Sequence, residues 1–211
     1  MDKLSVSSQI QLARLPWATL LLFVVITTLY FFYPPGSSGF SNLVLHKSDG
    51  LNPTKIILGQ LIHTELAHLF WNLAALLFLG LVVESKSRLL FAASILFGAI
   101  SISVWFTLES QFDRYAGFSG ILNTLFVVAL YCFASSEKRF SKYNMLLAVV
   151  FFLYLAKNIF ELVTGAAVLS NLVWQITPGA HISGMAAGVF CVGIYRVRRA
   201  KLDQPFNSKR R

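Results

Sequence analysis

The feature that most limits how this chain can fold is a succession of six apolar runs, at about 16–33, 64–83, 89–107, 118–134, 144–163 and 181–197. Each is near the roughly 20 residues that cross a bilayer as a helix. In hydrocarbon every backbone N–H and C=O must be paired within the protein, so runs of this length fold as helices. The expected fold class is therefore an all-α membrane protein, a bundle of six transmembrane helices. Composition agrees, with 56% hydrophobic and 13% charged residues among 211, outside the range of soluble domains. Residues 1–15 read as a polar leader, 16–197 as one membrane domain and 198–211 as a basic tail. The first run is not a signal peptide: its core is long and ends in Phe31-Phe32-Tyr33-Pro34-Pro35, without a small-residue cleavage site.

The chain carries eighteen Lys and Arg against nine Asp and Glu. These basic residues lie in short loops and the C-terminal tail, flanking apolar runs, which speaks for topology and lipid headgroups and against nucleic acid. With the N-terminus in the cytoplasm, the inside segments collect Lys3, Arg14, Lys86, Arg88, Lys138, Arg139, Lys142 and the seven basic residues from Arg196 to Arg211. The outside loops keep only Lys47, Lys55 and Arg114, and Lys157 falls within a span. Both termini are thus expected in the cytoplasm. A compact six-helix chain with few accessory segments suits a bacterial inner membrane. The outer loop at about 34–60 contains Phe40, Leu43 and several prolines, which suits a segment folded onto the membrane surface. Cys132 and Cys191 fall inside apolar runs and read as small core hydrophobes. No signal for oligomeric state is present.

In this orientation the second, fourth and sixth spans begin on the outer side, so His68, Ser119 and His181 reach similar depth. Polar groups inside a membrane must find partners and are often functional. Ser119 sits in Gly117-Phe118-Ser119-Gly120, where small neighbours would let a substrate carbonyl approach the hydroxyl. Alone this motif is weak, because a serine at a helix start is commonly an N-cap. His181 strengthens it. Gly184 and Gly188 follow at i+3 and i+7 and form with it a face of small residues of the kind that packs membrane helices closely. That face can bring the sixth span against the fourth, with His181 as general base to a Ser119 nucleophile.

Supporting groups lie in His63-Thr64-Glu65-Leu66-Ala67-His68-Leu69-Phe70-Trp71-Asn72. His68 and Asn72 share a helical face and suit oxyanion donors, while His63 precedes the regular helix and reads as structural, bonding the outer loop. A two-histidine metal site finds no third ligand at metal-like spacing other than Glu65. Neither Glu109 nor Asp113 is placed to orient His181, so a Ser-His dyad is expected in place of a triad. No cofactor or metal is called for.

Taken together, the segments 63–72, 117–120 and 180–188 resemble the rhomboid intramembrane serine proteases, over roughly residues 16–197. The resemblance implies a six-helix rhomboid-like bundle, with Ser119 as nucleophile, His181 as base, and His68, Asn72 and the Ser119 N–H around the oxyanion. Its partners would be transmembrane protein substrates, cut near the outer membrane face. Lys157, Glu161 and Gly165 in the fifth span are similar to the rhombosortase branch, which is associated with C-terminal Gly-Gly sorting tails. Lys157 and Glu161, at i and i+4 on one helical face, read either as a mutually neutralised pair that tolerates burial or, by the resemblance to rhomboids, as the lining of a substrate gate between the second and fifth spans. Two positions depart from the family pattern. Thr54-Lys55 stands where many rhomboids have Trp-Arg in the first outer loop. Asn123 stands where many have a ring that stacks on the histidine, and its amide could bond the imidazole instead.

Two other classes compete with a serine endopeptidase. A catalytically inactive relative would bind transmembrane clients, but Ser119 and His181 are retained. A small transporter would use Lys157 and Glu161 on an ion path, but no inverted repeat or paired broken helix accompanies them.

Overall fold

The computed structural model describes residues 15–134, 141–165 and 177–202. Residues 1–14, 135–140, 166–176 and 203–211, which include most of the expected leader and tail, lie outside the described residues. Within them the chain is built of eight α-helices: α1 (Trp17–Phe32), α2 (Ser38–Leu43), α3 (Pro53–Leu61), α4 (Leu66–Lys86), α5 (Arg88–Leu108), α6 (Ser119–Ala134), α7 (Lys142–Thr164) and α8 (Pro178–Leu202). Four of these, α4, α5, α7 and α8, are long and apolar enough to cross a membrane; α1 and α6 are apolar but shorter. Each of the six expected runs coincides with one of these six helices. The largest difference is at α8, which continues five residues past the expected end at 197 and takes Arg198, Arg199 and Lys201 into the helix.

Helix α6 is the centre of the bundle. Its most extensive contact is with α8, and it also packs on α4 and α5. Most of its side chains from Gly120 to Ala129 are buried. Its 16 residues span about 24 Å at a rise of roughly 1.5 Å per residue. A helix sheltered by its neighbours need not match the hydrocarbon thickness, and its surroundings tolerate the polar Ser119, Asn123 and Thr124. By contrast α7 is the most exposed of the long helices, burying only Asn158 and Glu161. It closes on Gly165, which adopts the left-handed conformation at φ +67°, a common helix stop.

Two polar arrangements fix how the helices meet. The first N–H groups of α1 lack intrahelical acceptors, as at any helix start. The buried Glu84 of α4 supplies them: its carboxylate accepts from Ala18 N–H at 3.0 Å, Thr19 N–H at 2.8 Å and the Thr19 hydroxyl at 2.8 Å. A negative charge at that end also complements the helix dipole. Between α5 and α8, the Ser101 and Ser183 hydroxyls lie 2.8 Å apart and each reaches the other's backbone carbonyl, at 3.1 and 2.9 Å.

The segment between α1 and α4 is folded, and it contributes one strand of a two-stranded antiparallel pair. Strand β1 (Leu45–His46) pairs with β2 (Arg114–Tyr115), Leu45 opposite Tyr115 and His46 opposite Arg114. This tethers the loop to the segment that leads into Ser119. Lys55 donates through Nζ to the carbonyls of Asn42 and Val44. The loop is therefore anchored by a lysine on backbone oxygens.

Candidate active site

Ser119 is the first residue of α6, and its helix start follows an extended turn at Gly117, whose φ of +129° favours glycine. A side chain at 117 would also meet His68, because a Cβ there would fall 2.8 Å from His68 Cε1. Gly117 thus lets the His68 ring of α4 lie against the turn that presents Ser119. The ring's Nδ1 is buried without a hydrogen-bond partner among the described residues.

His181 comes from the first turn of α8. Its Nε2 lies 3.1 Å from Ser119 Oγ. The approach of the two helices depends on glycine: a Cβ on Gly184 would collide with the Gly120 carbonyl oxygen, and one on Gly188 would fall 2.8 Å from the Thr124 carbonyl oxygen. Thr124 then donates through its hydroxyl to the Gly184 carbonyl at 2.8 Å. The face of small residues expected from Gly184 and Gly188 is the face that meets α6.

The other expected residues are placed as follows. Asn72, buried on α4, has its Nδ2 2.8 Å from His63 Nε2. His63 therefore bonds an oxyanion candidate where a bond to the outer loop was expected, and its ring also meets His68 edge-on at 5.1 Å between centroids. Burial holds His63 far below its ordinary 6.5, at about 3, and the neighbouring His68 acts in the same direction. A neutral His63 can accept the Asn72 amide proton through Nε2. Asn123 does not bond the imidazole: its Nδ2 donates to the Ser119 carbonyl at 2.9 Å, one turn back on its own helix. Lys157 and Glu161 form an ion pair at 2.7 Å, with the carboxylate buried and the ammonium partly exposed.

One residue escaped the sequence reading. Asn158 of α7 places Oδ1 3.2 Å from His181 Nδ1, so the imidazole has an amide partner, on a different helix from the expected one. Its signal was available: Asn158 is an uncharged polar side chain inside an apolar run, next to the more conspicuous Lys157. A cleft of about 220 Å³ lined by Phe40, His46, Thr64 and Arg114 includes neither Ser119 nor His181.

Fold and site together define a helical integral membrane protein in which a serine and a histidine from two tightly packed helices share a hydrogen bond. A family model described as the Rhomboid domain matches residues 52–198, which takes in both of them. The chain belongs to the rhomboid family. A comparison with curated proteins gives no match.

Proposed function

We propose that this rhomboid is an active intramembrane serine endopeptidase that cuts transmembrane segments of other membrane proteins near the outer membrane face. The observation that carries the reading is the 3.1 Å contact between Ser119 Oγ and His181 Nε2, within reach for proton transfer. Ser119 Oγ attacks the scissile carbonyl carbon as its proton passes to His181 Nε2. The oxyanion so formed is met by the Ser119 N–H and the side chains of His68 and Asn72. Collapse breaks the C–N bond, His181 returns the proton to the leaving amine, and water then hydrolyses the acyl-enzyme by the same route. Six spans with both termini in the cytoplasm put this chemistry on the outer side, and a bacterial inner membrane is the setting that suits the chain.

The finer assignment is to the rhombosortase branch, acting on clients with a C-terminal Gly-Gly sorting tail. It is supported by the Lys157, Glu161 and Gly165 pattern of α7 and by the ion pair of Lys157 with the buried Glu161, beside Asn158 on the same helix. The test is cleavage in proteoliposomes of two single-span clients, one with such a tail and one without. The reading expects cleavage that Ser119→Ala abolishes, and preference for the tailed client. Binding of clients without any cut would favour an inactive relative, and equal cleavage of both would remove the rhombosortase assignment alone.

A further inference from the structure

We propose that Asn158 is a positioning residue for His181, its side-chain carbonyl holding the imidazole in the tautomer whose Nε2 can take the Ser119 proton. This rests on the reading of Ser119 and His181 as nucleophile and base. Asn158 is fully buried, at 0% exposure, on a helix that otherwise turns almost all of its side chains outward. Its Nδ2 donates to the Tyr154 carbonyl at 3.0 Å and lies 3.7 Å from Met185 Sδ, a weak acceptor. Turning the amide over would set Oδ1 against the Tyr154 carbonyl oxygen, two acceptors with no proton between them. The hydrogen-bond network therefore assigns Oδ1 to the imidazole side.

An acceptor 3.2 Å from His181 Nδ1 requires the proton on that nitrogen. A neutral imidazole carries one N–H, so Nε2 is left with the lone pair, and Nε2 is the atom beside Ser119 Oγ. The same contact stabilises the imidazolium once Nε2 has taken the proton, because Nδ1–H becomes a stronger donor while Oδ1 stays in place. The chain Tyr154 carbonyl, Asn158 amide, His181 imidazole, Ser119 hydroxyl links α7, α8 and α6. It supplies through an amide what the sequence offers no carboxylate to supply. An amide adds no charge to the membrane interior, where an unpaired carboxylate would be costly.

A merely structural Asn158, bonding the carbonyl one turn back, would leave the maximal rate unchanged in any variant that stays folded, and that separates the two roles. The full-length protein in detergent is reacted with a fluorophosphonate across pH. The maximal inactivation rate and half-saturating concentration are measured for wild type, Asn158→Leu, Asn158→Asp and His181→Ala, with a melting curve for each. Asn158→Leu, similar in size but without the acceptor, should lower the maximal rate on the order of 10²-fold with the half-saturating concentration unchanged, less than the ~10⁴ lost with a charged orienting group.

Asn158→Asp keeps the acceptor and should restore most of the rate at high pH. Its acid limb should move up by about one unit, because a carboxylate beside an imidazole favours the charged ring. The other groups within electrostatic range of the imidazole, His68 from α4 and Lys157 from α7, the latter paired with Glu161, are unchanged in these variants, as is Ser119 on α6. A wild-type rate in Asn158→Leu, or an unmoved limb in Asn158→Asp, overturns the proposal. Should the melting curve show Asn158→Leu unfolded, the rate of Asn158→Asp at high pH decides: a rate near wild type supports the positioning role, and one lowered on the order of 10²-fold in a folded protein overturns it. His181→Ala reacting as fast as wild type would remove the base, and the positioning role with it; a slow His181→Ala beside an unchanged Asn158→Leu would remove the positioning role alone.

Discussion

Ser119, His181, His68 and Asn72 could be picked from the sequence because each is a polar group toward the N-terminal end of an apolar run, where burial without purpose is costly. What each one bonds could not be read, because that depends on helix rotation to within a few tens of degrees. Asn123 and Asn158 show the difference: an amide does bond the imidazole, but it comes from α7, and Asn123 bonds its own helix at the Ser119 carbonyl. Two predictions belong at this scale. Replacing His68 or Asn72 by Ala should lower turnover by about 10² to 10³ with little change in KM, the usual effect of losing an oxyanion donor; unchanged turnover would exclude that residue from the hole. The second concerns His63, whose folded value of about 3 lies below its ordinary 6.5. The unfolded chain then binds the extra proton first, so stability due to His63 is full above pH 6.5 and falls as pH drops toward 3. The slope is at most about 1.4 kcal/mol per pH unit. Melting curves of wild type and His63→Gln between pH 7 and 4 should converge as pH falls, and parallel curves would contradict the buried neutral imidazole.

At the scale of elements, six apolar runs and six helices correspond because length and apolarity alone decide that such segments become helices. The α6–α8 contact was also legible, since Gly184 and Gly188 announce a face that admits another backbone. The β1–β2 pair was not, because two residues per strand leave no periodicity to detect. Nor was the sheltered position of α6 at the bundle centre, which is a property of all its neighbours together. Gly184 gives the element-scale prediction. Gly184→Ala puts a methyl onto the Gly120 carbonyl and should cost about 1 to 3 kcal/mol, the usual range for overpacking, with a loss of activity as His181 moves off Ser119. A melting temperature and a rate both equal to wild type would contradict the close approach of these helices.

For the whole molecule, the distribution of Lys and Arg is the strongest guide to orientation, and it acts through residues on both sides of every span. A reporter fused after Arg211 should be active in the cytoplasm, and a cysteine at Gly36 should react with an impermeant reagent added outside. The opposite pattern would put Ser119 and His181 on the inner side. Proteolysis by this chain would require Ser119 to be an activated nucleophile, and covalent labelling by a fluorophosphonate reads this without a known client. Ser119 Oγ would displace fluoride from phosphorus as His181 takes the hydroxyl proton. Mass spectrometry of the digested protein should find the phosphonyl adduct on Ser119, absent from Ser119→Ala and strongly slowed in His181→Ala. Labelling that persists in Ser119→Ala at the wild-type rate would contradict the account.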